Sequence, residues 1–311
     1  MKKILSIDGG GLKGVFPVAF LASLEEKIGG NIGEYFDLIV GTSTGGIIAL
    51  GLGLGVSAAE LLAFYLSLGP KVFRGNRLLS ALRQISIAKY SSAPLKAALK
   101  ERFGDARLGE SKRRLVIPSL NLLTGEVHIY KTAHHPRLAT DYKVPVVDIA
   151  LATSAAPSYF PTHRASDGLP LIDGGVWANN PVGFAAVEAL TMLNWPAGDF
   201  KVLSLGCTSS PLDVRADSRF GWGWARWARN IADVMMAGQS SASLGMAKHL
   251  AGHDNVWRIS PPVPPGRYGL DVLKELDSLR GLGNAEARTQ SPYLGEFFTE
   301  RAAPFAPFHE L

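Results

Sequence analysis

The sequence predicts an α/β fold, a central sheet with helices packed on both faces, followed by a helical C-terminal elaboration. Three observations carry that prediction. The short runs 4–7, 38–40, 169–172 and 202–205 are apolar but for Ser6 and Ser204, so as strands they have no polar face to give to water and need cover on both sides. Segments of helical composition alternate with them through the first half of the chain. Hydrophobic residues make up 47% of the 311 residues and charged ones only 19%, enough apolar surface for a sizeable core and too little charge for a disordered chain.

Taken in order, residues 4–7 form the first strand, which ends where Asp8 and three glycines follow, and residues 12–28 form a helix rich in Leu, Ala and Glu. Residues 38–40 are the second strand and 46–54 its helix. Further helices are expected over 58–68 and 95–103, and the runs 115–122 and 127–130 flank Thr124-Gly125 as a β-hairpin. The strand 169–172 leads into Gly174-Gly175, and 202–205 ends just before Cys207. Beyond it, 215–251 reads as one long amphipathic segment with Phe220, Trp224, Trp227, Ile231, Val234 and Met235 on one stripe and Arg226, Arg229 and Asp233 opposite. Pro261-Pro262 and Pro264-Pro265 mark a rigid connector, and the remainder is expected to be helical up to a tail bearing Phe and Pro. The division expected is a core over 1–207 and a helical region over 208–311 packed on it, one domain overall.

Two segments mimic membrane signals. Met1-Lys2-Lys3 opens like a signal peptide, but Asp8 ends the apolar run too early. Residues 38–59 hold no charge at all and by length pass for a span. Their six glycines, and a change from strand-like to helix-like composition at Thr42-Ser43-Thr44, instead give a buried strand, a tight turn and a buried helix. The expectation is a soluble, cytoplasmic protein. Its one cysteine, Cys207, forms no internal disulfide and suits a small core position after a strand. The net charge of +5 fits an anionic partner, a lipid surface or a phosphorylated small molecule.

Chemistry concentrates at three places. Gly41-Thr42-Ser43-Thr44-Gly45 lies between an apolar strand and an apolar helix, the context of a nucleophile elbow. So tight a turn requires Gly41 and Gly45 to lack side chains, and it lifts the Ser43 hydroxyl above the sheet edge at a helix N-terminus. Asp8-Gly9-Gly10-Gly11-Leu12-Lys13-Gly14 also joins a strand to a helix. Consecutive glycines there let backbone N–H groups converge as an oxyanion hole, in which one donor is worth about 3–4 kcal/mol of transition-state stabilisation. The same loop fits a dinucleotide fingerprint, but no ribose-binding acid follows near residue 30. It is not a P-loop, since Gly14 follows Lys13. A phosphate loop of an actin-like sugar kinase is the closer rival, and it leaves the elbow unexplained. The third place is Asp173-Gly174-Gly175 at a strand end, where a carboxylate can accept a serine proton; a turn aspartate is the alternative. None of the seven histidines follows a strand as the histidine of a triad does, and no metal site is expected.

These three blocks, in this order, with Ala152-Thr153-Ser154-Ala155-Ala156-Pro157 and Asn179-Asn180-Pro181 beside them, resemble the signature of patatin-like phospholipases over roughly residues 1–207. The resemblance implies a three-layer α/β/α fold with a mostly parallel sheet. It implies hydrolysis of phospholipid acyl esters through an acyl-enzyme, without metal or cofactor. Ser43 would be the nucleophile and Asp173 the general base. The Gly9–Gly11 loop would supply the oxyanion hole, its N–H donors from Gly10 and Gly11, with Lys13 where the family often has arginine. Short bacterial proteins of this layout are also similar to effectors of cyclic-oligonucleotide antiphage systems. That implies a cyclic di- or oligonucleotide activator, a phospholipid membrane surface as partner at the inner membrane, no DNA or RNA polymer, and a homo-oligomer as a candidate assembly. Constitutive lipid turnover is the alternative. The C-terminal third shows no residue that catalysis needs, which fits a regulatory role. Within it, Trp222, Arg226 and Arg229 are candidates for membrane or nucleotide contact, and a core-facing stripe is the plainer reading.

Overall fold

The computed structural model describes residues 1–73, 87–210 and 224–311, with the backbone alone for 224–226 and 228–230. Its sheet is built from β1 (Lys2–Ile7), β2 (Leu38–Gly41), β3 (Arg114–Asn121), β4 (Val127–Lys131), β5 (His163–Arg164), β6 (Pro170–Asp173), β7 (Phe200–Leu205) and β8 (Val256–Ile259). The order is β5-β6-β3-β2-β1-β7-β8, with β4 pairing β3. From β3 through β8 every pairing is parallel, and β4, β5 and β6 add an antiparallel lobe at one side.

The helices are α1 (Val15–Ile28), α2 (Thr44–Gly53), α3 (Ala58–Val72), α4 (Ala93–Phe103), α5 (Val146–Thr153), α6 (Gly175–Ala178), α7 (Val182–Thr191), α8 (Trp224–Ala251) and α9 (Leu276–Gln290). Alternate residues of the apolar strands supply two cores, as a sheet covered on both faces requires. Leu5, Ile7, Ile39 and Leu203 pack with α1, α2, α3, α5 and α9 on one face. Ile4, Leu38, Val40 and Val202 pack with α7 and the C-terminal half of α8 on the other. This is the three-layer α/β/α arrangement the sequence predicts. The uncharged stretch resolves as β2, a turn and α2, and every residue of α2 is buried. Among the described residues no helix is long and apolar enough to cross a membrane.

Two differences concern the region after Cys207. It is not only helical, because β8 extends the sheet beyond β7. And the described members of the aromatic stripe do not face the core: Trp227 is 42% and Met235 62% exposed. What α8 buries instead is the small-residue row Ser243, Ala247 and Ala251, which lets it approach the sheet and α7 closely. Trp222 and the side chains of Arg226 and Arg229 lie outside the described residues.

Candidate active site

Register places the site. Ile7 of β1 is level with Gly41 of β2 and with Leu205 of β7, so the loops that follow all three strands leave the sheet at one edge. Asp173 at the end of β6 pairs with Ser119 of β3 and arrives at the same edge from above.

At the elbow, Ser43 has φ 55° and ψ −122°, left-handed backbone that a side chain adopts only under constraint. The constraint is steric. A Cβ at Gly41 would collide with the backbone of Gly45, and one at Gly45 with the carbonyl oxygens of Ile7 and Asp8. Flanking bonds complete it. The Ser43 N–H donates to Thr153 Oγ1 at 3.0 Å, and Thr153 in turn donates to Pro118 O at 2.6 Å. Thr42 Oγ1 donates to Ala178 O at 2.6 Å, and Thr44 is tied to the buried Tyr65 hydroxyl. Ser43 thus caps α2 with its side chain free of the cap, at the positive end of that helix.

The Ser43 hydroxyl donates to Asp173 Oδ2 at 2.6 Å. The other carboxylate oxygen accepts the Gly175 N–H at 2.7 Å. Burial raises the Asp173 pKa to about 6, against the opposing pull of those two hydrogen bonds. A buried carboxylate with that pKa is a stronger base than an exposed one and is still mostly ionised at neutral pH.

The glycine loop lies against the elbow. A Cβ at Gly9 would sit 3.2 Å from Ser43 Cβ and 2.6 Å from Asn179 Oδ1, and one at Gly10 would sit 2.5 Å from Cys207 Cβ. The loop's own N–H groups are not equivalent. Gly9 N–H donates to Asn179 O at 2.9 Å, so it is not free for a substrate oxygen. Leu12 N–H donates to Leu270 O at 2.8 Å. Between them, the Gly10 and Gly11 N–H groups have no partner among the described residues. Lys13 is half-buried in the turn that follows, close enough for its charge to act on the Asp8 carboxyl. The loop's first residue, Asp8, is gripped by Arg258 of β8 through two parallel bonds, at 2.7 and 2.5 Å.

Sequence reasoning did not find Arg258, Leu270 or the Asn179 carbonyl, and all three come from the second half of the chain. The C-terminal third, to which sequence reasoning assigned no part in the site, therefore touches it. Arg258 and Leu270 hold the glycine loop directly. Cys207 is a buried core residue, its thiol pushed up to about 12 by burial first and the nearby Asp8 second.

Of the histidines, His134 is buried against Glu188, its Nε2 2.8 Å from Glu188 Oε1, in a cluster with Lys131. His249 and His253 are four residues apart and stack edge to face, but α8 ends between them. Among the described residues no group of three or more His, Cys, Asp or Glu is placed to hold a metal ion.

The family model described as patatin-like phospholipase matches residues 5–186, which span the glycine loop, the elbow and the strand-end aspartate. The cGAMP-activated phospholipase of Pseudomonas aeruginosa is 36% identical over 265 residues, covering 84% of this chain and 79% of the relative. The proteins of that name from Vibrio cholerae and Escherichia coli are 32% and 30% identical. They cover 96% and 97% of this chain and 92% and 94% of their own length. With a serine elbow, a buried carboxylate bonded to it and a glycine loop beside both, the chain belongs to the patatin-like phospholipase family of serine hydrolases acting on lipid esters.

Proposed function

We propose that the chain is a phospholipase A-type carboxylic ester hydrolase working through a Ser43–Asp173 dyad. The observation that carries this reading is the 2.6 Å bond from Ser43 Oγ to Asp173 Oδ2, made by a serine in strained backbone. In the proposed sequence Asp173 takes the Ser43 proton as Oγ attacks the ester carbonyl carbon. The charge that forms on the carbonyl oxygen falls to the Gly10 and Gly11 N–H groups, aided by Lys13 and the N-terminus of α2. Collapse expels the leaving alcohol, a lysophospholipid, which carries away the proton held by Asp173. Water then gives a proton to Asp173 as its oxygen attacks the acyl-enzyme. The fatty acid leaves and Ser43 regains its proton.

The substrate surface in this reading is a phospholipid bilayer, reached from the cytoplasm by a protein peripheral to the inner membrane. Supporting it are the net charge of +5 and the turn between β3 and β4. That turn stands three residues, about 10 Å, past the level of Asp173 and exposes Leu122 and Leu123, the latter 76%. Residues 1–207 are the proposed catalytic core and 208–311 the region packed on it. Activation by a cyclic di- or oligonucleotide in antiphage defence is the regulatory part of the reading. Its support is that the relatives named cGAMP-activated phospholipase match across the C-terminal third as well as the core.

The test is release of fatty acid from labelled liposomes by wild type, Ser43→Ala and Asp173→Asn, each with and without a panel of cyclic nucleotides. Loss of release in both folded variants is expected; persistent release in either overturns the dyad. Equal wild-type rates with and without every nucleotide overturn the activation.

A further inference from the structure

The two loops that carry the chemistry meet a third, residues 178–181. Ala178 O accepts from Thr42 Oγ1, one residue before the nucleophile. Asn179 O accepts from Gly9 N–H, one residue before the first free N–H of the oxyanion loop. The position of these two carbonyls therefore sets both halves of the site. What sets their position is the next residue, Asn180, which is fully buried.

The bonds of Asn180 run overwhelmingly to α8. Its N–H donates to Gln239 Oε1 at 3.0 Å, and Gln239 Nε2 donates back to its carbonyl at 3.0 Å. The second lone pair of that carbonyl takes the Ser243 hydroxyl at 2.7 Å. Its side-chain amide donates to Ser240 O and Oγ, at 3.3 and 3.1 Å. Only its side-chain oxygen stays within its own loop, accepting from Val182 N–H at 3.2 Å. The Gln239 amide thus pairs with one residue's backbone in the reciprocal way a neighbouring strand would. It is the partner of the buried Asn180 N–H and shares the buried Asn180 C=O with the Ser243 hydroxyl. Apart from that bond pair, α8 also buries Ser243, Ala247 and Ala251 on its inner face.

We propose that Gln239 is a positioning residue for the hydrolytic site. It fixes Asn180, and through the Ala178 and Asn179 carbonyls it holds the elbow and the oxyanion loop in mutual register. The effect belongs to the transition state, since the loops must align on the charged carbonyl oxygen rather than on the neutral ester. A displacement of about 1 Å in such a register costs on the order of a hundredfold in rate. The inference rests on the Ser43–Asp173 reading.

Two variants test it. In Gln239→Leu the amide pair is gone. Expected is a fall in kcat of about 10- to 100-fold with KM within about threefold of wild type, and an equal fall in the rate at which a fluorophosphonate modifies Ser43. In Gln239→Glu the ionised carboxylate keeps the acceptor for Asn180 N–H but faces the Asn180 carbonyl with like charge. Protonated, it has the donor and acceptor of the native amide. The ratio of its kcat to that of wild type, measured at each pH, is expected to rise towards one as pH falls from 8 to 5. Taking the ratio removes the titration of Asp173, which both proteins share. Retained kcat in folded Gln239→Leu overturns the proposal. So does a Gln239→Glu ratio that does not change with pH, and that variant decides the matter if Gln239→Leu does not fold. Ser43→Ala run alongside separates the failures: release that survives it sinks the dyad itself, whereas Ser43-dependent release untouched in both Gln239 variants sinks only the brace.

Discussion

Asp173 carries two opposite consequences of one burial. In its proposed role as base it must be ionised, so kcat/KM for a soluble ester is expected to fall about tenfold per pH unit below pH 6, a limb read directly from a pH–rate profile. As a buried group it prefers its proton, so its contribution to stability is present at low pH and is lost as pH rises through about 6. Ionised, it costs the fold on the order of 3 kcal/mol. Asp173→Asn is thus expected to abolish turnover and to raise the melting temperature at pH 8, with little gain at pH 4, as calorimetry at the two values would show. Unchanged melting at pH 8 contradicts the burial argument. Ser43 and Asp173 were legible in the sequence because their constraint is local: tight backbone packing demands glycines within two residues. Arg258, Leu270 and Gln239 were not, since each acts on a loop at least 59 residues away through contacts that no spacing encodes.

At the scale of elements, strands buried on both faces were readable as short apolar runs, and the helices that alternate with them followed. β8 was missed because Arg258 interrupts its four residues, a charge received inside the fold by Asp8 and the Ser204 hydroxyl. α8 was read with the right period and the wrong inner side. Large apolar side chains point out at Trp227, Ile231 and Met235, while small ones point in, and composition alone favours the reverse. The elbow gives a sharp stability prediction. Gly45→Ala forces a methyl group into the Ile7 and Asp8 carbonyls and should cost several kcal/mol, about 3 or more, yielding no soluble folded protein or a strongly lowered denaturation midpoint. At the β3–β4 turn, Leu122→Ser with Leu123→Ser is expected to weaken cosedimentation with liposomes about tenfold or more while leaving hydrolysis of a soluble ester unchanged. Equal cosedimentation would remove this turn from the membrane surface.

For the molecule as a whole, the C-terminal third is packed into the framework of the candidate site. β8 completes the sheet and pairs Asp8, the segment around Leu270 closes over the glycine loop, and α8 holds Asn180. A chain ending at residue 207 leaves Asp8 buried without its cation and Asn180 without its partners. It is expected to be insoluble or inactive, as expression beside the full chain would reveal. A ligand that shifts α8 or β8 by even a fraction of an ångström therefore has a mechanical route to Ser43. In the proposed nucleotide-activated reading, activation through this region would work by aligning the two loops.

Cys207 offers a way to watch that alignment. It is the protein's one thiol, packs against Gly10, and is held in its protonated form by burial. Alkylating reagents should pass over it while the loop is seated and capture it whenever the loop lifts. Its labelling rate is a built-in clock for local opening of the oxyanion loop, readable by mass spectrometry in the wild-type enzyme without any introduced probe.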